Sequence, residues 1–188
     1  MDFVVGLPKT LGKFDSIWVI VDRLTKSAHF IPVKVTYNAE KLARLYISEI
    51  VRFHGVTHSI ISDRGTQLSY KFWRTLHAEL GTRLDLSTAF HPQSERTIQV
   101  LEDMLRACVI EFGGHWDYFL PLAEFSYNNS YHSSIDMAPF EALYGRRCRS
   151  PIGWFDAFEV RPWSTDLLRE SLDKVKCIQE KLLAAQSR

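Results

Sequence analysis

No long apolar run occurs in this chain. The longest is "IWVIV" at 17–21, five residues against the roughly 20 that a membrane-spanning helix needs. A basic, then apolar, then small-residue leader is also missing from the first residues, so neither a signal peptide nor a membrane span is expected. Cysteine is scarce: Cys108, Cys148 and Cys177 are odd in number, far apart and form no CxxC pair. That excludes a disulfide framework or a zinc knuckle as the organising device and suits a reducing compartment. Charge of one sign is lacking too, with 23 Lys and Arg against 22 Asp and Glu for a net +1. Attraction to nucleic acid must therefore come from local features, not bulk charge. There are no internal repeats and no low-complexity tracts. The seven histidines are scattered, with His54 and His58 on either side of Gly55, and they read as ordinary surface or core residues. What is present, 46% hydrophobic and 24% charged residues over 188 positions, is the make-up of one well-packed domain with extra length at one end.

Along the chain, "DFVVGL" (2–7) predicts a short strand. "SIWVIVDRLTKSAHFIPVK" (16–34) predicts two more joined through "DRLTKS", completing a three-stranded meander. Asn38 is placed to N-cap a helix over 39–55, with Leu42, Leu45, Tyr46, Ile50 and Phe53 on one apolar stripe and Gly55 as the stop. "HSIIS" (58–62) has the apolar centre of a strand buried on both faces. "YKFWRTLHAEL" (70–80) reads as a helix ending at Gly81, and "RLDLST" (83–88) alternates as a strand. Ser94 is expected to cap a long helix that buries Ile98, Leu101, Leu105, Cys108, Val109 and Phe112 and ends at Gly113-Gly114. A helix around Tyr118–Phe125, the polar loop "NNSYHSS" (128–134) and a short helix from Pro139 to Gly145 follow. Beyond "SPIGW" (150–154) the composition turns polar, and 164–186 is amphipathic. The order β-β-β-α-β-α-β-α-α predicts an α/β fold: a mixed five-stranded sheet, three antiparallel strands and then strands alternating with helices, flanked by helices on both faces.

Three acids stand at element ends: Asp2 on the first strand, Asp63 just past the fourth, Glu95 in the first turn of the long helix. Each has an ordinary reading. Asp63 opens the turn-like "DRGT", Asp2 belongs to the chain start, and Glu95 complements a helix dipole, worth about 0.3–1 kcal/mol. Ionised carboxylates only accept hydrogen bonds, so three that converge repel one another unless a cation joins them. Hard oxygen ligands of this kind suit Mg²⁺ or Mn²⁺. Two such ions roughly 3.5–4 Å apart support in-line attack on a phosphodiester. Spacing alone does not force the three acids together.

The stretches "MDFVVGLPKTLGKFDSIWVIVDRLTKSAHFIPVK", "SIISDRGTQ", "STAFHPQSERTIQVLEDMLRACV" and "YNNSYHSSIDMAPFEALYGRRCRSPIGW" resemble, in that order, the integrase core of plant gypsy-type LTR retrotransposon polyproteins. The resemblance runs through residues 1–187. It implies a ribonuclease H-like fold and a catalytic, metal-binding triad that falls on Asp2, Asp63 and Glu95, holding two Mg²⁺ (or Mn²⁺) ions. It also implies DNA partners (element ends and target), a homo-oligomer when active, no membrane, and a nuclear location. Residues 1–150 then form the catalytic core, and 151–188 a linker and amphipathic helix, the truncated start of a C-terminal region. Two departures bear on activity. The pattern around the third acid resembles "HPQTDGQSER", whereas this chain reads "HPQSER" at 91–96, four residues shorter. The flanking zinc-binding and C-terminal modules of such polyproteins are missing, so the chain is expected to be a fragment with impaired activity.

Arg146, Arg147 and Arg149 cluster after a helix end, where they can hold DNA phosphates or simply complement the helix C-terminus. On the long helix Glu95, Gln99 and Glu102 share a face beside Arg96 and Arg106. The resemblance sets that face along the DNA end and makes Arg96 and Gln99 DNA contacts; the plainer reading is a solvated face. Asn128 and Asn129 are given no role beyond turn chemistry, and Trp73, Trp116 and Trp154 read as packing residues. Three functions remain open. One is a DNA-integrating polynucleotidyl transferase. Another is a catalytically inactive ribonuclease H-like module that binds nucleic acid or self-associates. The third, a nuclease on RNA–DNA hybrids, wants a fourth acid for which there is no clear candidate.

Overall fold

Period-two alternation builds the meander as expected. A computed structural model describes residues 1–62, 83–86 and 92–148, with the backbone alone for 61, 62, 83–86, 92–96, 107 and 112. Strands β1 (Asp2–Val4), β2 (Ser16–Val21) and β3 (Ala28–Val33) form an antiparallel sheet in the order β1-β2-β3. Their register sets Asp2 opposite Val19 and Ile17 opposite Pro32. Strand β1 is shorter than the predicted "DFVVGL": Gly6, at φ 81, turns the chain out of it. In the β2–β3 turn, the Asp22 carboxylate accepts the Thr25 N–H at 3.0 Å and its hydroxyl at 2.6 Å.

Successive residues of β2 point to opposite faces and so seed two cores. Ile17 and Val19 face helices α3 (Pro92–Phe112) and α4 (Trp116–Asn128), packing with Leu101, Met104 and Phe119. Trp18 faces the opposite way, onto α1 (Ala39–Tyr46), among Leu42, Tyr46 and Ile50. The sheet thus carries helices on both faces, as the element order predicts. Phe3 stacks on Trp18 with ring centroids 5.5 Å apart. Ile60 of β4 (Ser59–Ser62) joins the same buried cluster. Strand β4 pairs in parallel with β5 (Arg83–Leu86). Among the described residues the five strands are hydrogen-bonded as three plus two. The predicted helix at 70–80 and everything from 149 onward, the 151–188 segment included, lie outside the described residues.

Two helix expectations need correction. The first helix does begin where Asn38 accepts the Lys41 N–H at 3.0 Å, but it is not α-helical to its end. After α1 come a π-helical segment (Ile47–Val51) and a last turn, α2 (Arg52–His54), before Gly55 at φ 76. The wider turn offsets the apolar stripe. Phe53, expected in the core, is 61% exposed, with Arg52 over its ring at 4.3 Å. The second correction concerns Ser94, which does not stand at the N-cap position. Helix α3 starts at Pro92, because proline's fixed φ and missing N–H suit a first helical position, and Ser94 lies inside the first turn. The buried side otherwise follows the stripe at Leu101, Leu105 and Cys108, with Met104 added and Ile98 and Val109 partly buried. Helix α5 (Pro139–Tyr144) stops as expected at Gly145, in the left-handed region at φ 69.

Candidate active site

Strand alternation fixes where Asp2 can act. Residues of β2 that bond to β1 are those opposite Asp2 and Val4, which leaves the peptide groups of Phe3 facing out from the free side of β1. Asp2 caps that side itself: the Phe3 N–H donates to Asp2 Oδ1 at 2.8 Å. Its carboxylate is half-buried, and Oδ2 has no hydrogen-bond partner among the described residues.

The second acid, Asp63, lies outside the described residues. Its immediate predecessor Ser62 ends β4, the strand whose Ile60 is buried in the cluster of Trp18, Ile31 and Leu42. Glu95 is described by its backbone alone, as the fourth residue of α3 (Pro92–Phe112). It therefore belongs to the first turn, as the sequence predicts. Residues 87–91 lie between β5 and α3, outside the described residues. All three positions accordingly attach to strand or helix ends, while the carboxyl–carboxyl geometry of the set lies outside what is described. No group of three histidine, cysteine or acidic side chains converges on a metal-sized point among the described residues.

The expected DNA contacts divide. Gln99 is exposed on α3 beside Glu102 and Arg106, which fits a solvated face as well as a binding one; Arg96 is described by its backbone alone. Arg146 and Arg147 are exposed after α5, and the Arg147 guanidinium donates to Glu141 at 3.2 Å, which ties it back to the helix. Arg149 lies outside the described residues. Cys108 is buried and Cys148 half-buried, both as free thiols. No helix among the described residues is long and apolar enough to cross a membrane.

Sequence reasoning missed the role of Asn128. Its side-chain amide donates to the Ala28 carbonyl and accepts the Ala28 N–H, both at 2.8 Å, so α4 extends the sheet by one artificial strand residue. One turn earlier, Glu124 accepts the Phe30 N–H at 2.8 Å. The only signal was the i, i+4 spacing of two polar residues on an otherwise apolar helix.

Comparison with known proteins gives this arrangement its class. No family model matches the chain. Among solved structures it superposes on a simian T-cell lymphotropic virus intasome chain with a TM-score of 0.63 at 16% identity, covering 88% of this chain and 59% of that one. The catalytic core of HTLV-2 integrase, solved with magnesium, gives 0.58 at 14% identity over 75% of this chain and 93% of its own. The catalytic core of BIV integrase gives 0.57 at 21% over 77% and 94%. The fold is therefore that of integrase catalytic cores, a ribonuclease H-like α/β fold. In sequence the chain is similar to the Tf2-3 and Tf2-4 transposon polyproteins of Schizosaccharomyces pombe, 30% identical over 148 residues, 77% of this chain. It spans 11% of the length of those relatives.

Proposed function

We propose that the chain is the catalytic core of a retrotransposon integrase of the gypsy type. In this reading it is a polynucleotidyl transferase that trims element DNA ends with water and then directs the freed 3′-hydroxyl onto target DNA. The observation that carries the reading is the placement of Asp2 on the free side of β1, with Ile60 of β4, three residues before Asp63, in the buried cluster against which Phe3 packs. The same packing supports β4 as the neighbour of β1, which would join the three-stranded and two-stranded sheets into one of five strands. Asp2, Asp63 and Glu95 are the residues whose chemistry fits a pair of Mg²⁺ or Mn²⁺ ions: all are hard oxygen donors, and Asp2 retains an oxygen with no partner among the described residues. Such ions would lower the pKa of the attacking water and bear the charge that builds on the phosphate. In this reading Asp2 acts from the sheet, Glu95 from a 21-residue helix, and Gln99, Arg96 and the arginines at 146, 147 and 149 are the contacts to the DNA backbone. Self-association and a nuclear site of action belong to the same proposal.

A second reading, a catalytically inactive module, is favoured by the shortened 87–91 connection. An error of one ångström in placing Glu95 can cost about a hundredfold in rate. The test is a joining assay on a duplex mimicking an element end, with Mn²⁺ or Mg²⁺, comparing this chain with a version carrying Thr-Asp-Gly-Gln after Gln93. Metal-dependent joining that Asp63→Asn abolishes supports the integrase. Joining only by the lengthened version supports impairment by the loop, and none by either supports the inactive module.

A further inference from the structure

On the strand farthest from Asp2, three titratable side chains from three elements meet in a line. Glu124 of α4 is fixed by the Phe30 N–H on Oε2 and lies 3.1 Å from His29 Nδ1 through Oε1. His29 Nε2 in turn lies 2.8 Å from His54 Nε2 at the end of α2, the rings meeting with centroids 4.9 Å apart. A carboxylate accepts only, so His29 must carry its proton on Nδ1, which leaves a lone pair on Nε2 aimed at His54. A carboxylate that orients an imidazole through its far nitrogen is the outer-shell arrangement found behind metal-binding histidines. Burial and the neighbouring His29 also hold His54 below the ordinary histidine value, against the opposing pull of Asp22 and Glu124, which favours the neutral ring that a ligand must be.

We propose that His29 and His54 form a two-imidazole site for a borderline divalent transition-metal ion, Zn²⁺ being the simplest case, oriented by Glu124. A tetrahedral ion with Zn–N bonds of about 2.0–2.1 Å needs its two nitrogens roughly 3.3–3.4 Å apart. The rings reach this by opening about half an ångström from the 2.8 Å contact and tilting so that both Nε2 lone pairs meet at one point, with His54 moving its proton to Nδ1. His54 is exposed, so water can complete the coordination. Nitrogen donors favour Zn²⁺, Ni²⁺ or Cu²⁺ over Mg²⁺, which distinguishes this site from the carboxylate centre. The ion would pin the end of the π-disrupted helix to β3 and α4.

The experiment is calorimetric titration of the full chain with Zn²⁺ in millimolar Mg²⁺, which occupies hard oxygen sites, together with melting curves with and without Zn²⁺. One equivalent should bind and raise the melting temperature. His54→Gln and His29→Gln should each weaken binding by more than about tenfold, and Glu124→Gln, which keeps an acceptor for Phe30, by about tenfold. Absence of Zn²⁺ binding to the unaltered chain overturns the site, as does binding by His54→Gln equal to that of the unaltered chain. If His29→Gln does not fold, His54→Gln decides alone, because its ring is exposed.

Discussion

The three-stranded sheet has two edges that are finished in different ways. At β3 the peptide groups of Ala28, Phe30 and Pro32 face away from β2. Asn128 takes both groups of Ala28, Glu124 takes the Phe30 N–H, and Pro32 has no N–H to offer. No strand can add there. At β1 the outward N–H of Phe3 is met, among the described residues, only by the carboxylate of its own neighbour, Asp2. Exposed edges invite pairing unless they are blunted. Blunting by a helix marks the first edge as scaffold. At the second, an acid does the capping and remains available for chemistry.

The largest effect that sharpens this contrast is expected from Asp2→Asn. The amide oxygen can still accept the Phe3 N–H, so stability in denaturant should change by no more than about 0.5 kcal/mol. Joining activity should fall more than about a hundredfold, since even outer-shell partners of a metal typically cost 10–100-fold. Mg²⁺ or Mn²⁺ should raise the melting temperature of the unaltered chain by relieving carboxylate repulsion, and Asp2→Asn should lose that gain. A variant that keeps full activity would remove Asp2 from the site.

At the scaffold edge the pattern should invert. Asn128→Ala leaves the buried Ala28 N–H and C=O without partners, at about 1–3 kcal/mol for each group. A loss of about 2–4 kcal/mol in urea unfolding is therefore expected, with no change in the metal response of the folded fraction. A loss below about 1 kcal/mol would mean that water enters and replaces the amide.

Much of this was legible from the residues. The β2 alternation, the Asn38 cap, the Gly55 and Gly145 stops and the Leu101/Leu105/Cys108 stripe all follow from local periodicity and turn chemistry, and each stands where it was expected. The misreadings came where one long-range or local alternative won. Phe53 was assigned to the core because a 3.6-residue period was carried through a segment that widens to a π turn. Ser94 was taken for a cap because serine prefers that place, yet Pro92 starts the helix earlier. Asn128 looked like loop chemistry, and only its partner 100 residues away reveals the clamp. The candidate site is partly legible for the same reason. Its acids mark element ends in the sequence, whereas whether they converge depends on tertiary placement that no spacing encodes.

Titration gives a subtler probe of the sealed side. Because His54 is held below its ordinary value by burial and by His29, the unfolded chain binds its proton at a higher pH than the folded one. The stability this contributes is fully present above the ordinary value of 6.5 and is lost as pH falls below it, through the depressed folded value. In chelator-treated buffer, the unaltered chain should therefore lose more stability between neutral and mildly acidic pH than His54→Gln. Parallel curves for the two would remove His54 from the pH response.

The smallest effect is expected from Pro32→Val, and it tests whether the β3 edge is sealed by design of its donors. Valine suits an extended strand and keeps a comparable volume opposite Ile17, so the fold should persist with a stability change of under about 1 kcal/mol, within the span of strand propensities. What changes is one outward N–H beside the two that Glu124 and Asn128 already cover. A lone donor gives another strand one hydrogen bond and no register, so the single variant should remain as monodisperse as the unaltered chain in sedimentation. Combined with Asn128→Ala, it frees the Ala28 and residue-32 donors on the same side of β3, two peptide spacings on either side of Phe30. The double variant should therefore self-associate in a concentration-dependent way that neither single change produces. Additive behaviour, with no association in the double variant, would show that packing of α4 over the strand protects this edge and that its capped donors do not.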